Sequence, residues 1–211
     1  MLDSTCLNLD DLVDRARSGD EQAMTELFEQ HRKRLRQMIR LRMDQRVQAR
    51  DAVSDVLQEA FIDLAQQLPN YAKDPKLPFF LWLRRITGLR LAKVHRLHLG
   101  QEKRKVTREV RLDMPALPDA SSVYVASKLI APLTSASGNA IKVETQQQVE
   151  KAIEQLPPND REVIAMRHVE RLSNEEVSII LDVSTKAASM RYTRAMVRLR
   201  DLLDAIPGVL D

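Results

Sequence analysis

Cationic side chains are concentrated in two acid-poor segments, and this pattern has the clearest chemical meaning in the sequence. Residues 84–111 contain ten Lys or Arg and two acids, and residues 183–200 contain five Lys or Arg and no acid. Most basic runs in proteins are solvated helix faces, but two such segments in separate halves favour a polyanionic partner such as nucleic acid. The net charge of +3 hides this concentration.

The second basic segment falls in a predicted helix that begins at Ser184 and reaches Leu203. Before it, residues 173–176 form a capping box that begins a short helix, and residues 182–184 form a tight turn. This order predicts a helix-turn-helix, a unit that binds DNA in many proteins and a protein partner in others. The predicted core residues of the last helix are Ala188, Tyr192, Ala195, Leu199 and Leu202. The candidate DNA contacts are Ser184, Lys186, Ser189, Met190, Arg191, Thr193, Arg194 and Arg198.

The first basic segment begins inside an aromatic cluster. Residues 79–85 contain the only tryptophan and two of the four phenylalanines. Aromatic rings beside arginines can hold unpaired bases by stacking and cation–π contact, whereas aromatic residues at helical spacing are more often plain core. Both interpretations stay open from the residues alone. The candidate contacts to unpaired DNA are Trp82, Arg84, Arg85, Arg90, Lys93 and Arg96.

A third candidate surface is acidic and polar. The spacing of apolar residues predicts a helix over 51–68 that ends at Pro69. Its predicted core stripe is Val53, Leu57, Ala60, Phe61, Leu64 and Leu68. The opposite face then carries Asp55, Gln58 and Ile62, with Glu59 beside them. An isoleucine surrounded by acids and amides suits a protein partner, and an ordinary solvated face accounts for it equally well.

Catalytic and metal chemistry have little support. One cysteine, Cys6, excludes an internal disulfide, and five glycines leave no glycine-rich phosphate loop. His95 and His98 lie one turn apart without an evident third ligand. We therefore predict a non-enzyme without metal or cofactor. The composition and the acidic start predict neither export nor a membrane span, and a reducing cytoplasm fits best.

The elements that position these residues are predicted to be helices throughout. Helices are expected over 20–43, with Met24, Leu27, Phe28, Leu35, Met38 and Ile39 as the buried stripe, and over 79–97. Residues 112–148 are poor in charge and rich in Pro, Ser and Ala, with one short helix expected over 122–131. The predicted fold is all-α, with two small helical domains, 9–99 and 145–206, joined by a flexible linker over 100–144.

Three stretches, taken in order, resemble the bacterial RNA polymerase sigma factors of the extracytoplasmic-function (ECF) type. Residues 55–61 are similar to the D-x-x-Q-E-x-F core of the family's region two, and residues 79–86 to its F-x-x-W-L-x-x-I segment. Residues 156–200 follow region four, including V-S-x-x-x-x-x-x-R-x-x-R-A-x-x-x-L-R from Val183 to Arg200. The resemblance covers about residues 9–99 and 145–203.

The resemblance implies a promoter-specificity subunit that performs no bond chemistry. Asp55, Gln58, Glu59 and Ile62 would bind the β′ clamp of core RNA polymerase, with the β flap as a further contact. The basic aromatic helix would open and hold the single-stranded minus-ten element, and the last helix would enter duplex DNA at the minus-thirty-five element. Control by an anti-sigma factor, by a kinase or at the level of transcription stays open.

The chain departs from the family at several positions. Ile86-Thr87-Gly88-Leu89 stands where many relatives have I-A-x-N, and Lys93 stands where an Asp is common. Asp182 replaces the usual turn glycine, and Ala187-Ala188 replace a usual Thr-Val. The family's base contact at position 89 is therefore not carried over to this chain.

Two other functions compete with the sigma factor. A conventional helix-turn-helix regulator would bind duplex operator DNA alone, often as a dimer, whereas a sigma factor needs core polymerase for tight promoter binding. A protein-only adaptor with solvated basic faces would show little salt dependence in binding a neutral partner.

Overall fold

Every regular element of the described chain is helical. The computed structural model describes residues 4–44, 46, 52–99, 117–130 and 139–205. The chain divides into two compact units, Met1–Ile39 with Met43–Leu117 and Arg40–Arg42 with Pro118–Asp211. The predicted all-α, two-domain fold is confirmed. The helices in chain order are α1 (Ser4–Arg17), α2 (Glu21–Arg42), α3 (Ala52–Lys73), α4 (Phe79–Leu99), α5 (Ser122–Ile130), α6 (Asn139–Gln155), α7 (Pro158–Ile164), a π-helical segment (Ala165–Val169), α8 (Asn174–Leu181) and α9 (Thr185–Asp204).

The first unit contains α1 to α4. Asp20 begins α2, because its carboxylate accepts the backbone N–H groups of Gln22 and Ala23 at 3.0 Å. The N–H of Ala23 and the guanidinium of Arg15 lower the pKa of Asp20. The predicted stripe of α2 is buried except at Met24, which is half-buried. Phe28 of this stripe meets Phe61 of α3 edge to face, with ring centroids 5.2 Å apart.

The α3 helix does not end where the sequence predicts. It continues through Pro69 to Lys73, although proline offers no N–H to the helix. The extra turn is held by tertiary contacts of Tyr71, whose ring stacks on Trp82 at 4.4 Å and whose hydroxyl donates to the Leu77 carbonyl at 2.9 Å. Packing therefore outweighs the local preference for a stop at proline.

The first two turns of α4 are buried on all sides. Residues 79–84 are all buried, with Phe79 and Trp82 both against Tyr71. Further along, Gly88 is buried beneath Leu117, and a Cβ at position 88 would lie 2.1 Å from Cδ2 of Leu117. The departure from the family at Gly88 thus leaves space for a leucine side chain.

The second unit contains α5 to α9. The short helix expected over 122–131 is present as α5, and it packs against α6 through Val125 and Ala126. The α6 helix begins at Asn139, before the predicted start of the domain at residue 145. Part of the segment predicted as a flexible linker is therefore folded into this unit.

Trp82 provides a test of the first unit's core. Trp82→Ala should lower the free energy of unfolding by about 3–5 kcal/mol, because it removes a large ring that is only 7% exposed. Chemical denaturation followed by circular dichroism measures the change. Trp82→Phe is the matched control and should cost much less, since it keeps a ring against Tyr71. An unchanged midpoint for Trp82→Ala would contradict the core assignment.

Candidate nucleic-acid interface

Local hydrogen bonds fix both ends of the short helix α8. The Ser173 hydroxyl accepts the Glu176 N–H at 3.0 Å, and the Glu176 carboxylate accepts the Ser173 N–H at 2.7 Å. This is the predicted capping box. At the other end Asp182 adopts a left-handed conformation with φ 53°, and the N–H of Val183 donates to the Ser178 carbonyl at 3.0 Å. Aspartate tolerates this conformation better than most residues, so the turn forms without glycine.

The α9 helix begins directly after this turn. The Ser184 hydroxyl accepts the Ala187 N–H at 3.2 Å and so caps the helix. The predicted core residues Ala188, Ala195 and Leu199 are buried, and Tyr192 and Leu202 are half-buried. Arg198 forms an ion pair with Asp160 of α7 and thereby ties the middle of α9 to the rest of the unit.

The opposite face of α9 carries the candidate DNA contacts. All of them are exposed except Ser189, which is half-buried. The Thr193 hydroxyl donates to the Ser189 carbonyl at 3.1 Å, and the hydroxyl of Ser184 is used by the cap. Lys186, Arg191 and Arg194 are exposed, and no described carboxylate pairs with them. These three cations are the side chains of α9 best placed to contact phosphate.

A contact that the sequence does not reveal fixes the rotation of α9. The Tyr192 hydroxyl lies 2.7 Å from Nε2 of His168 in the π-helical segment, and the Arg167 guanidinium lies 5.5 Å from the centre of the Tyr192 ring. Burial, with a smaller effect of Arg167, lowers the pKa of His168. The neutral ring is thus favoured beside Tyr192. A π-helical turn has no sequence pattern that predicts it, and Tyr192 by itself predicts only core.

The acidic and polar surface of α3 is exposed as predicted from its spacing. Asp55, Gln58 and Glu59 are exposed, and Ile62 among them is 41% exposed. The Glu59 carboxylate lies 3.2 Å from Nη1 of Arg90 on α4. One carboxylate of this surface is therefore held in place by the neighbouring helix.

Arg90, predicted as a DNA contact, forms ion pairs with two carboxylates of α3. Two of its nitrogens donate to the two oxygens of Asp63, and its third lies near Glu59. Asp63 is 8% exposed, so its charge requires a partner within the protein. Arg90 is a positioning residue that joins α3 to α4.

Two more residues of the predicted minus-ten group lie in the interior. Trp82 and Arg84, both predicted to contact DNA, are buried. Both precede the point at which α4 leaves the core. Arg85 is half-buried, and Lys93 and Arg96 are exposed, so these three are the cations of the group that remain near solvent.

The described ranges contain neither a cluster of metal-ligating side chains nor a helix able to cross a membrane. These residues contain no group of three or more His, Cys, Asp or Glu placed to share a metal ion. Nε2 of His95 instead accepts the Asp44 N–H at 3.2 Å. The side chain of His98 lies outside the described part of the structure. Each described helix is too short or too polar to cross a bilayer.

The comparisons with known proteins agree on one class. Residues 146–199 match the family model described as Sigma-70, region 4. SigD, an ECF RNA polymerase sigma factor of Mycobacterium tuberculosis, is 26% identical over 193 residues, covering 92% of this chain and 82% of that protein. The ECF RNA polymerase sigma-E factor of Escherichia coli is 26% identical over 184 residues, covering 87% of this chain and 88% of that protein.

A solved structure supports the fold. CnrH, determined in complex with the cytosolic domain of CnrY, is similar with a TM-score of 0.55 and 24% identity, and the match covers 94% of this chain and 98% of that chain. The helix-turn-helix built by α8 and α9 lies largely within the residues that match the Sigma-70, region 4 model. Over most of its length the chain is similar to RNA polymerase sigma factors of the ECF type.

The Arg90 contacts yield a prediction about the first unit. Arg90→Ala should lower the free energy of unfolding by up to about 3 kcal/mol, because it leaves the Asp63 carboxylate buried without a cation. Urea denaturation of Arg90→Ala, Asp63→Ala and the double variant measures the coupling. The free energy of unfolding lost in the double variant should be smaller than the sum of the losses in the two single variants. Strictly additive losses would show that the pair does not act as a unit.

Proposed function

We propose that this chain binds core RNA polymerase, directs it to specific promoters and assists promoter melting. The observation that carries the proposal is the capped helix-turn-helix of region four, whose exposed face presents Lys186, Arg191 and Arg194 without an acid. The resemblance to ECF sigma factors over most of the chain supports it. Sigma factors are not a family of enzymes, and the chain would position an enzyme rather than perform bond chemistry.

The polymerase contact is assigned to the surface of α3 formed by Asp55, Gln58, Glu59 and Ile62. These residues would bind the β′ clamp, with the exposed isoleucine supplying apolar area among polar groups. Because Arg90 holds Glu59 from α4, the polymerase-binding surface and the minus-ten helix would be fixed relative to each other. The β flap is a second proposed contact of the subunit.

The DNA contacts are assigned to two helices. The N-terminal part of α9 would enter the major groove of the minus-thirty-five element, where Met190 and Ser189 face base edges and the three cations contact phosphate. Arg85, Lys93 and Arg96 of α4 would follow the unpaired strand of the minus-ten element. We also propose control by an anti-sigma factor, since the similar CnrH was solved with a partner domain.

The conventional regulator is not favoured. The relatives that match over most of their own length are sigma factors. A conventional regulator would need to bind its operator DNA without polymerase. Duplex binding by the protein alone, as tight as that of the complex with polymerase, would reverse this choice.

Capture of polymerase tests the α3 assignment. The tagged chain should co-purify with core RNA polymerase in stoichiometric amounts and produce new start sites on genomic fragments. Asp55→Ala with Gln58→Ala should reduce capture at least tenfold while leaving the melting temperature nearly unchanged, because both side chains are exposed.

The matched control for capture changes one amide and one carboxylate elsewhere. Gln66→Ala with Asp74→Ala alters exposed residues at the far end of α3 and just beyond it, and it should leave capture intact. Equal loss in both double variants would count against the α3 assignment.

Salt dependence tests the α9 assignment. Arg191→Ala and Arg194→Ala should each reduce the slope of log K against log salt by about 0.9 for promoter binding by the polymerase complex, if each residue contacts one phosphate. The loss should be similar for matched and mismatched minus-thirty-five sequences. Arg200→Ala is the control, since Arg200 lies 3.7 Å from Asp201 of the same helix. A sequence-selective loss would move the arginines to base contact instead.

A further inference from the structure

The helix α5 covers an apolar surface of the second unit. Its side chains Val125, Ala126 and Ile130 are at most 4% exposed and belong to the buried core of this unit. The helix packs against α6 and the π-helical segment. We call the residues of these two elements that belong to the same core the α5-binding surface; they are Val149, Ala152, Ile153, Ala165 and Val169. If α5 left, part of this surface would be exposed to water.

The helical form of α5 depends on this contact. The helix has nine residues, and an isolated helix of fewer than about 12 residues is marginal in water. Three of its residues, Val123, Val125 and Ile130, are β-branched and lower the helix propensity further. Segments with few buried apolar contacts open locally at a lower free energy than the whole domain, and α5 buries only three apolar side chains. Detachment of α5 is therefore a local event that ends its helical form.

The docked helix shortens the connection between the two proposed DNA-binding helices. Residues 100–121 join α4 to α5, and fully extended they span at most about 80 Å. Residues 100–138 join α4 to α6 and span at most about 140 Å. The minus-ten and minus-thirty-five elements are centred about 25 base pairs apart, which is about 85 Å of duplex. A connection with α5 docked would be taut at that distance, whereas one that includes the residues of α5 has slack.

We propose that α5 is a removable cover, which occupies the α5-binding surface in the free chain and leaves it when the chain binds core polymerase at a promoter. The proposal rests on the proposed function, because promoter binding is what requires the two helices to reach elements so far apart. On release, residues 122–130 lengthen the connection, and polymerase supplies an apolar contact in place of α5. Because only the released state is competent, the cover lowers the apparent affinity for polymerase.

Hydrogen exchange of the unaltered full chain tests the release. In the free chain the amides of residues 125–130, of which Val125 donates to the Ser121 carbonyl, should exchange at least about tenfold more slowly than in an unfolded peptide. In the complex with core polymerase and promoter DNA this protection should be lost, while the amides of Val149 and Ile153 in α6 remain protected. Fast exchange of residues 125–130 in the free chain, or unchanged protection in the complex, overturns the proposal.

Val125→Asp tests the effect of the cover on affinity. Burying a carboxylate against the α5-binding surface is costly, so this variant should keep α5 released, and protected amides at Val149 and Ile153 verify that the rest of the unit stays folded. Capture of polymerase should tighten about tenfold, the factor by which a released state of about 10% weakens the apparent affinity. Equal or weaker capture would contradict an inhibitory role of α5.

Lys128→Gln is the matched control. Lys128 is exposed on the same helix, so its replacement should change neither the protection of α5 nor the capture of polymerase. Failure of the proposed function appears as loss of capture and of start sites for the unaltered chain. Failure of the present proposal leaves both intact and shows only in the exchange of α5 and in the affinity of Val125→Asp.

Discussion

The interaction on which the first unit depends is the contact of Arg90 with Asp63 and Glu59. Burying the Asp63 carboxylate, which is 8% exposed, without a cation would be costly, and the planar guanidinium donates to both of its oxygens at once. The contact fixes the spacing and the rotation of α4 relative to α3. One helix carries the proposed polymerase surface and the other the proposed strand-binding face, so a single ion-pair network sets the geometry between two binding functions.

The second unit depends on backbone geometry at the turn between α8 and α9. The capping box, the left-handed Asp182 and the Ser184 cap are all local, each within a few residues of its partner. Tyr192 then binds His168 across 24 residues of sequence and fixes which face of α9 is turned outward. Short-range signals thus build the motif, and one longer-range contact orients it.

How well the sequence predicts each element follows from the range of the contacts that build it. The helix-turn-helix was predictable because each serine cap lies three residues from its hydrogen-bond partner. The buried stripe of α2 was predictable because one face of this helix is buried and the other is exposed to solvent. The spacing of apolar residues left the burial of Trp82 open and did not predict that of Arg84, because the first turns of α4 are buried on every side, where periodicity no longer separates core from surface. The prediction that α3 ends at Pro69 was wrong for a similar reason. The ring of Tyr71 stacks on Trp82, eleven residues later in the sequence, and this contact holds a helical turn that the local preference of proline would end.

The small number of α9 cations that can contact phosphate explains why such a protein would need polymerase to bind a promoter tightly. The three exposed cations of α9 that pair with no described carboxylate would release the counterions of about three phosphates, fewer than the roughly six to ten contacts that make an affinity steeply salt-dependent. The affinity of α9 by itself should therefore be low. In the assembled complex, α9 is joined to a second DNA-binding helix and to a polymerase that also holds DNA. Once one of these parts has bound, the others meet the same DNA at a high effective concentration, so that weak contacts add up. A weak recognition helix then favours promoter binding only by the assembled complex, because the free chain would remain dissociated from most DNA.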